Sequence, residues 1–130
     1  MAATDRFMRT RALLGEEKMS RLQQASVMII GLGAVGGYAL EALARAGIGH
    51  LTLVDFDVFD ETNINRQILA LDSTVGRQKT AVAAERVKDI NPDCRVTLKN
   101  MFVNGDTLPQ LFSEPVDFVV DAIDALNPKC

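Results

Sequence analysis

Val27-Met28-Ile29-Ile30-Gly31-Leu32-Gly33-Ala34-Val35-Gly36 decides the fold of this chain. A continuous apolar run reads as a buried parallel strand. It passes directly into G-x-G-x-x-G, and the Ala- and Leu-rich stretch Val35–Ala46 then reads as a helix ended by Gly47 and Gly49. Strand, glycine turn and helix in that order are the context a nucleotide-binding loop requires. The first glycine permits the tight turn, the second lets a nucleotide approach the backbone, and the third lets helix and strand pack closely. The helix start adds free N–H groups and a positive dipole end.

Reading outward, Leu51-Thr52-Leu53-Val54 is a second buried strand, and Asp55 ends it. An acid there, roughly 20 residues past the glycines, can accept hydrogen bonds from ribose hydroxyls. A polar loop runs from Asp55 to about Ser73, with one helical turn expected around Arg66–Leu69. Thr74–Ile90 reads as a longer helix, closed by Asn91-Pro92. Val96–Leu98 opens a third strand, Asp106–Phe112 is a short helix with Pro109 in its first turn, and Val116–Val120 is a fourth strand. Upstream, Met19, Leu22 and Ala25 recur at helical spacing within Glu16–Ala25. Alternating strands and helices predict an α/β, Rossmann-like, mostly parallel sheet flanked by helices. Residues 1–25 form an N-terminal arm and helix, and 26–130 a nucleotide-binding domain.

Composition excludes several classes. The chain has 130 residues, 48% of them apolar, and a net charge of −3, which argues against disorder. Two cysteines make neither a disulfide framework nor a tetracysteine zinc site. No run of about 18 apolar residues spans a membrane, and the polar start Met1–Arg6 is no secretory signal. These features predict a cytoplasmic protein.

The glycine loop alone leaves NAD and ATP open. A triphosphate needs cationic side chains and usually a metal ion. Between Asp55 and Lys79 the chain carries Asn63, Arg66, Gln67, Arg77 and Lys79. Each has an ordinary surface reading, but together after this loop they favour ATP. Asp121 and Asp124 close the fourth strand, where carboxylates could hold Mg²⁺. Asp124 is assigned to metal and reacting centre, Asp121 to support. Cys94 reads as a buried structural thiol and His50 as a surface residue.

The ordered set Gly31-x-Gly33-x-x-Gly36, Asp55-x-Asp57, Asn63-x-x-Arg66-Gln67, Gly76-x-x-Lys79 and Asp121-x-x-Asp124 resembles the ThiF/MoeB/HesA adenylating superfamily, which shares its fold with ubiquitin-activating enzymes. The resemblance runs from about Arg6 to Lys129. It implies ATP-dependent adenylylation of a carboxylate. The glycines, Asp55, Asp57 and Gln67 would bind ATP, with Asp55 at the ribose. Asn63, Arg66 and Lys79 would bind the phosphates, and Asp124 would sit with Mg²⁺. Arg9 would be inserted into the partner's site of a homodimer.

Three phrases, Arg9-x-Arg11-x-Leu13-Leu14-Gly15, Glu41–Gly49 and Asn63–Gln67, look like the branch that cyclises and dehydrates N6-threonylcarbamoyladenosine in tRNA. The tRNA partner rests on this resemblance alone. A sulfur-carrier branch, activating the C-terminal glycine of a ubiquitin-like protein, is the first alternative. A NAD-binding or non-catalytic nucleotide-binding module is the second. Because family members continue past the acidic strand end, the chain is read as the amino-terminal part of a longer enzyme, its sheet incomplete at the C-terminus and inactive alone.

Overall fold

The computed structural model describes residues 5–123. Asp124, expected at the reacting centre and as metal ligand, lies outside them. Within them, α1 (Met8–Leu14) and α2 (Glu16–Gln24) lead into β1 (Ser26–Ile30), α3 (Ala34–Ala46) and β2 (His50–Val54). A 3₁₀ turn (Glu61–Asn63) follows, then α4 (Lys79–Ile90), β3 (Arg95–Lys99), α5 (Leu108–Leu111) and β4 (Phe118–Asp121). All strand pairs are parallel, in the order β3-β2-β1-β4. This is the expected α/β fold.

The alternation of each strand sorts the core into two layers. Val27, Ile29, Leu51 and Leu53 meet Leu40 and Ala44 of α3 and Val82, Ala83 and Val87 of α4. Met28, Ile30 and Val54 face the other way, onto Leu111 of α5 and the flanking Met101, Val103 and Val116. One face thus carries two full helices and the other a single helical turn. Val119 is paired beside Met28 on the thinly covered face and stays 43% exposed. No described helix is long and apolar enough to cross a membrane.

Three expectations need correction. The helix read from Thr74 starts only at Lys79. Gly76 has φ +87°, a left-handed conformation that interrupts a right-handed helix. Residues 57–59 and 76–79 zip together instead: Gly76 N–H donates to Phe59 O (2.8 Å), Phe59 N–H to Arg77 O (2.9 Å) and Lys79 N–H to Asp57 O (3.0 Å). The turn expected at Arg66–Leu69 forms earlier, as the 3₁₀ turn, because Asp60 and Asn63 cap each other across it. His50 is not a surface residue. It is 8% exposed, with Nδ1 3.1 Å from Ser26 Oγ and Nε2 2.8 Å from Thr97 Oγ1. Burial, and then the nearby Arg95 cation, hold its imidazole below the ordinary value.

Helices α3 and α4 are tied by a buried carboxylate. Glu41 is 7% exposed and accepts from Arg45 Nε (3.0 Å) on its own helix and from Arg86 on α4. Burial alone would raise its pKa, but the Arg86 and Arg45 hydrogen bonds outweigh it and hold the carboxyl below its ordinary value. A carboxyl whose folded pKa is depressed stabilises the fold above its unfolded pKa and stops doing so as pH falls through the folded value. Glu41→Gln is therefore expected to lower stability by about 1–2 kcal/mol at pH 7, and by progressively less below about pH 4. Urea unfolding of both proteins between pH 3 and 7 checks this.

Candidate functional site

In an open parallel sheet, ligands bind beyond the C-terminal strand ends where the order reverses. Here that point lies between β1 and β4, because the chain goes from β1 outward to β2 and β3 and returns to the far side of β1. The glycine loop leaves β1 there, and Asp121-Ala122 leaves β4 beside it.

The loop is built by contacts that only glycine permits. Gly31 has φ +97°, and a Cβ on it would stand 2.6 Å from Ala122 O. Its N–H donates to Val54 O (2.8 Å), and Ala122 N–H donates to Ile30 O (2.8 Å), so three strand ends converge on it. A Cβ on Gly36 would stand 1.8 Å from Gly31 O, which brings the first turn of α3 against the strand exit. Gly33 precedes α3 and provides no side-chain cap, so the N–H groups of the helix's first turn stay open to an anion.

Asp55 locks the loop to β2. Its Oδ2 accepts from Leu32 N–H (2.7 Å) and its Oδ1 from Asp57 N–H (2.9 Å). Each oxygen keeps a further lone pair for a hydroxyl. Asp57 is exposed, and its carbonyl receives the Lys79 N–H.

Lys79 is 7% exposed, at the first position of α4, with Nζ 5.4 Å from the centroid of the Phe59 ring. A surface lysine is thereby ruled out. Among the described residues it makes no ion pair and no side-chain hydrogen bond; its stem is buried and its ammonium faces the Phe59 ring. Gln67 is 6% exposed and its Nε2 lies 3.4 Å from where a Gly33 Cβ would stand. Its Oε1 is buried without a donor among the described residues. Such an acceptor is costly unless something supplies a hydrogen.

Asn63 uses Oδ1 to accept from Asp60 N–H (2.8 Å). Arg66 is exposed and rests on Thr62 O (3.1 Å) and Asn65 Oδ1 (2.9 Å), both neutral acceptors that leave its charge uncompensated. Arg77, counted with these cations, is drawn away to Glu85 on α4. Arg9 is not brought to the loop by its own chain. Phe7 packs beside Gly47, and Arg6 Nη1 donates to Ile90 O (2.8 Å), so the arm sits at the far ends of α3 and α4.

Sequence reasoning missed Phe59 and Ala122. Phe59 lies in an apolar interruption of the polar loop, Phe56-Asp57-Val58-Phe59, which was its only signal. Cys94 is fully buried as expected, and burial raises its thiol pKa. No group of three metal-ligating side chains forms among the described residues.

The assembly can seat a nucleotide. The loop offers open N–H groups, Asp55 hydroxyl acceptors, and Lys79 and Arg66 positive charge.

Comparison with known proteins agrees with this geometry. The model of the ThiF family matches residues 5–129. The tRNA threonylcarbamoyladenosine dehydratase of Escherichia coli (strain K12) is 47% identical over 124 residues, covering 95% of this chain and 46% of that protein. The enzyme of the same name from Bacillus subtilis (strain 168) is 43% identical over 123 residues, covering 95% and 48%. The crystal structure of the E. coli dehydratase in complex with ATP superposes with a TM-score of 0.92 at 46% identity, covering 98% of this chain and 53% of that one. The chain thus spans about half the length of the relatives it matches.

Proposed function

The chain belongs to the ThiF family, and on that premise we propose that it binds ATP at the glycine loop and activates a carboxylate as its adenylate. The carboxylate is that of the threonylcarbamoyl group on a tRNA adenosine. The observation that supports the reading is the Gly31–Gly36 cradle at the strand-order reversal, with Lys79 linked to it through the Asp57 carbonyl and the Asp55 carboxylate. A dinucleotide needs little positive charge beyond the glycine loop, whereas a triphosphate needs cationic side chains. The specific substrate follows from the 43–47% identity to proteins that bear that activity in their names.

The residues divide the work by chemistry. Asp55 accepts from the ribose hydroxyls through its spare lone pairs, and Gln67 Oε1 gains a donor from the nucleotide. The first-turn N–H groups of α3, Asn63 and Arg66 bind the phosphates. Lys79 stabilises the charge that develops as the substrate carboxylate attacks the α-phosphate and pyrophosphate leaves. The substrate's own carbamoyl group then attacks the activated carbonyl, AMP departs, and the ring closes with net loss of water. No enzyme nucleophile takes part.

Mg²⁺ neutralises phosphate charge when bound. One carboxylate, assigned to Asp124, would suffice beside the phosphate oxygens, which accords with the lack of a dedicated three-ligand cluster among the described residues. Arg9 sits at the end of α3 remote from the loop, so it serves the site only from a second copy of the chain. The protein is a homodimer in this reading and works in the cytoplasm.

The test adds ATP, Mg²⁺ and tRNA that carries threonylcarbamoyladenosine to a protein that contains this chain at the full length of its relatives. AMP and pyrophosphate are expected to form together with the cyclised nucleoside. In cells lacking the gene, only the open nucleoside should remain. An unchanged nucleoside profile overturns the tRNA assignment in favour of a protein substrate. NAD binding tighter than ATP, and insensitive to Arg66→Ala, overturns adenylation altogether.

A further inference from the structure

We propose that an arginine-lined cleft at the C-terminal ends of α3 and α4 grips a backbone phosphate of the RNA substrate; this rests on the tRNA reading above. The cleft has a volume of about 380 Å³ and is lined by Arg6, Phe7, Arg45, Arg86, Asp89 and Ile90. Three guanidiniums stand against Asp89 and the Glu41 carboxylate that Arg45 and Arg86 share, which leaves the cleft locally cationic on a chain of net charge −3.

Each guanidinium is held by a protein acceptor that leaves other donors unused. Arg6 spends Nη1 on Ile90 O (2.8 Å). Arg45 spends only Nε on Glu41 (3.0 Å), so both terminal nitrogens are unbonded among the described residues. Arg86 uses Nε and, at 3.4 Å, Nη2 on the same carboxylate, which leaves Nη1. An arginine has five N–H donors in a planar fork that fits phosphate oxygens. Fixing the forks in advance removes much of the side-chain entropy that phosphate binding costs. Structural duty explains why these arginines are anchored; it does not explain why three converge with spare donors on one opening. Phe7 and Ile90 give the cleft an apolar wall, against which a ribose can rest.

The cleft lies away from the nucleotide loop of its own chain. Arg45 lies 11 residues beyond Ala34 on the same helix, roughly 16 Å along its axis at 1.5 Å per residue. An RNA that presents its modified base to the loop is long enough to reach the cleft as well. Backbone contacts of this kind position a nucleic acid without reading its sequence.

The experiment measures binding of an unmodified tRNA transcript to the protein over a range of salt, with ATP binding followed separately by calorimetry. The double variant Arg6→Gln/Arg45→Gln is expected to weaken tRNA binding at least tenfold. It should also make the log–log salt dependence shallower by about two, one for each cation removed. Asp89→Asn, which removes the cleft carboxylate that forms no ion pair among the described residues and leaves the Glu41 contacts intact, should tighten tRNA binding two- to threefold. ATP affinity should be the same in all variants.

Unchanged tRNA affinity in the double variant, or no tightening in Asp89→Asn, overturns the proposal. Displacement of the tRNA by inorganic phosphate alone reassigns the cleft to a small anion and overturns it as well. Equal binding of a polyglutamate peptide assigns it to an acidic protein, with the same result. Failure of the unmutated protein to bind ATP strikes the adenylation reading instead, and is read in a separate measurement.

Discussion

Replacing Gly36 by alanine is expected to abolish nucleotide binding. The added methyl carbon would stand 1.8 Å from Gly31 O and 2.8 Å from Gly31 C. Neither can retreat. Gly31 is pinned by its N–H bond to Val54 O (2.8 Å), and Ala122 closes the space behind it. The clash is relieved only if α3 moves off the strand exit, and that movement disperses the N–H groups that face the ligand. Overpacking of this kind costs about 1–3 kcal/mol, or a fall in Tm of several degrees for a domain of this size. ATP affinity should drop at least 100-fold, because the donors lose their common focus. Gly105→Ala is the control, since nothing lies within 4 Å of a Cβ there. Calorimetric titration with ATP, alongside thermal unfolding, decides the matter. Near-normal ATP affinity in the Gly36 variant would show that the loop does not hold the phosphates.

Lys79→Met separates function from stability. Methionine keeps the apolar stem against Phe59 and removes only the charge. No ion pair or side-chain hydrogen bond among the described residues is lost with the ammonium, so stability should hold within about 1 kcal/mol. The rate of ATP–pyrophosphate exchange should fall about 10²–10³-fold, the usual cost of deleting one group that meets developing charge. A lysine that merely packs would give the opposite pattern, with stability lost and exchange retained. Exchange assays and urea unfolding on one preparation distinguish the two.

The parts of this molecule that could be read from sequence are the locally determined ones. Val27–Ile30 followed by Gly31-x-Gly33-x-x-Gly36 carries its own geometry, because φ and close approach are properties of a few adjacent residues. The parallel sheet followed from apolar runs alternating with helical spacing. What escaped depends on distant partners. The burial of His50 comes from its place between β1 and β3, which bring Ser26 and Thr97 to its ring from 24 and 47 positions away. Arg77 looked like a ligand cation until helix α4 placed Glu85 beside it. The true start of α4 was hidden because the pull of Phe59 on Gly76 crosses a loop. Lys79 was named from its place in a motif, but its burial against Phe59 is visible only in three dimensions.

The strand order has a kinetic consequence. β1 is made first, yet one of its two edges waits for β4, and Ser26 N–H finally donates to Asp117, 91 residues later. Until then that edge is an open template for any extended chain. Closing so long a loop delays the reward of pairing, which slows folding relative to local topologies. Synthesis on the ribosome imposes a further wait, since β4 emerges only after β1, β2 and β3. The crevice between β1 and β4 therefore forms after the β3-β2-β1 part of the sheet. A mutation that slows β4 docking would lengthen exposure of the edge and favour aggregation without altering any residue that touches the nucleotide.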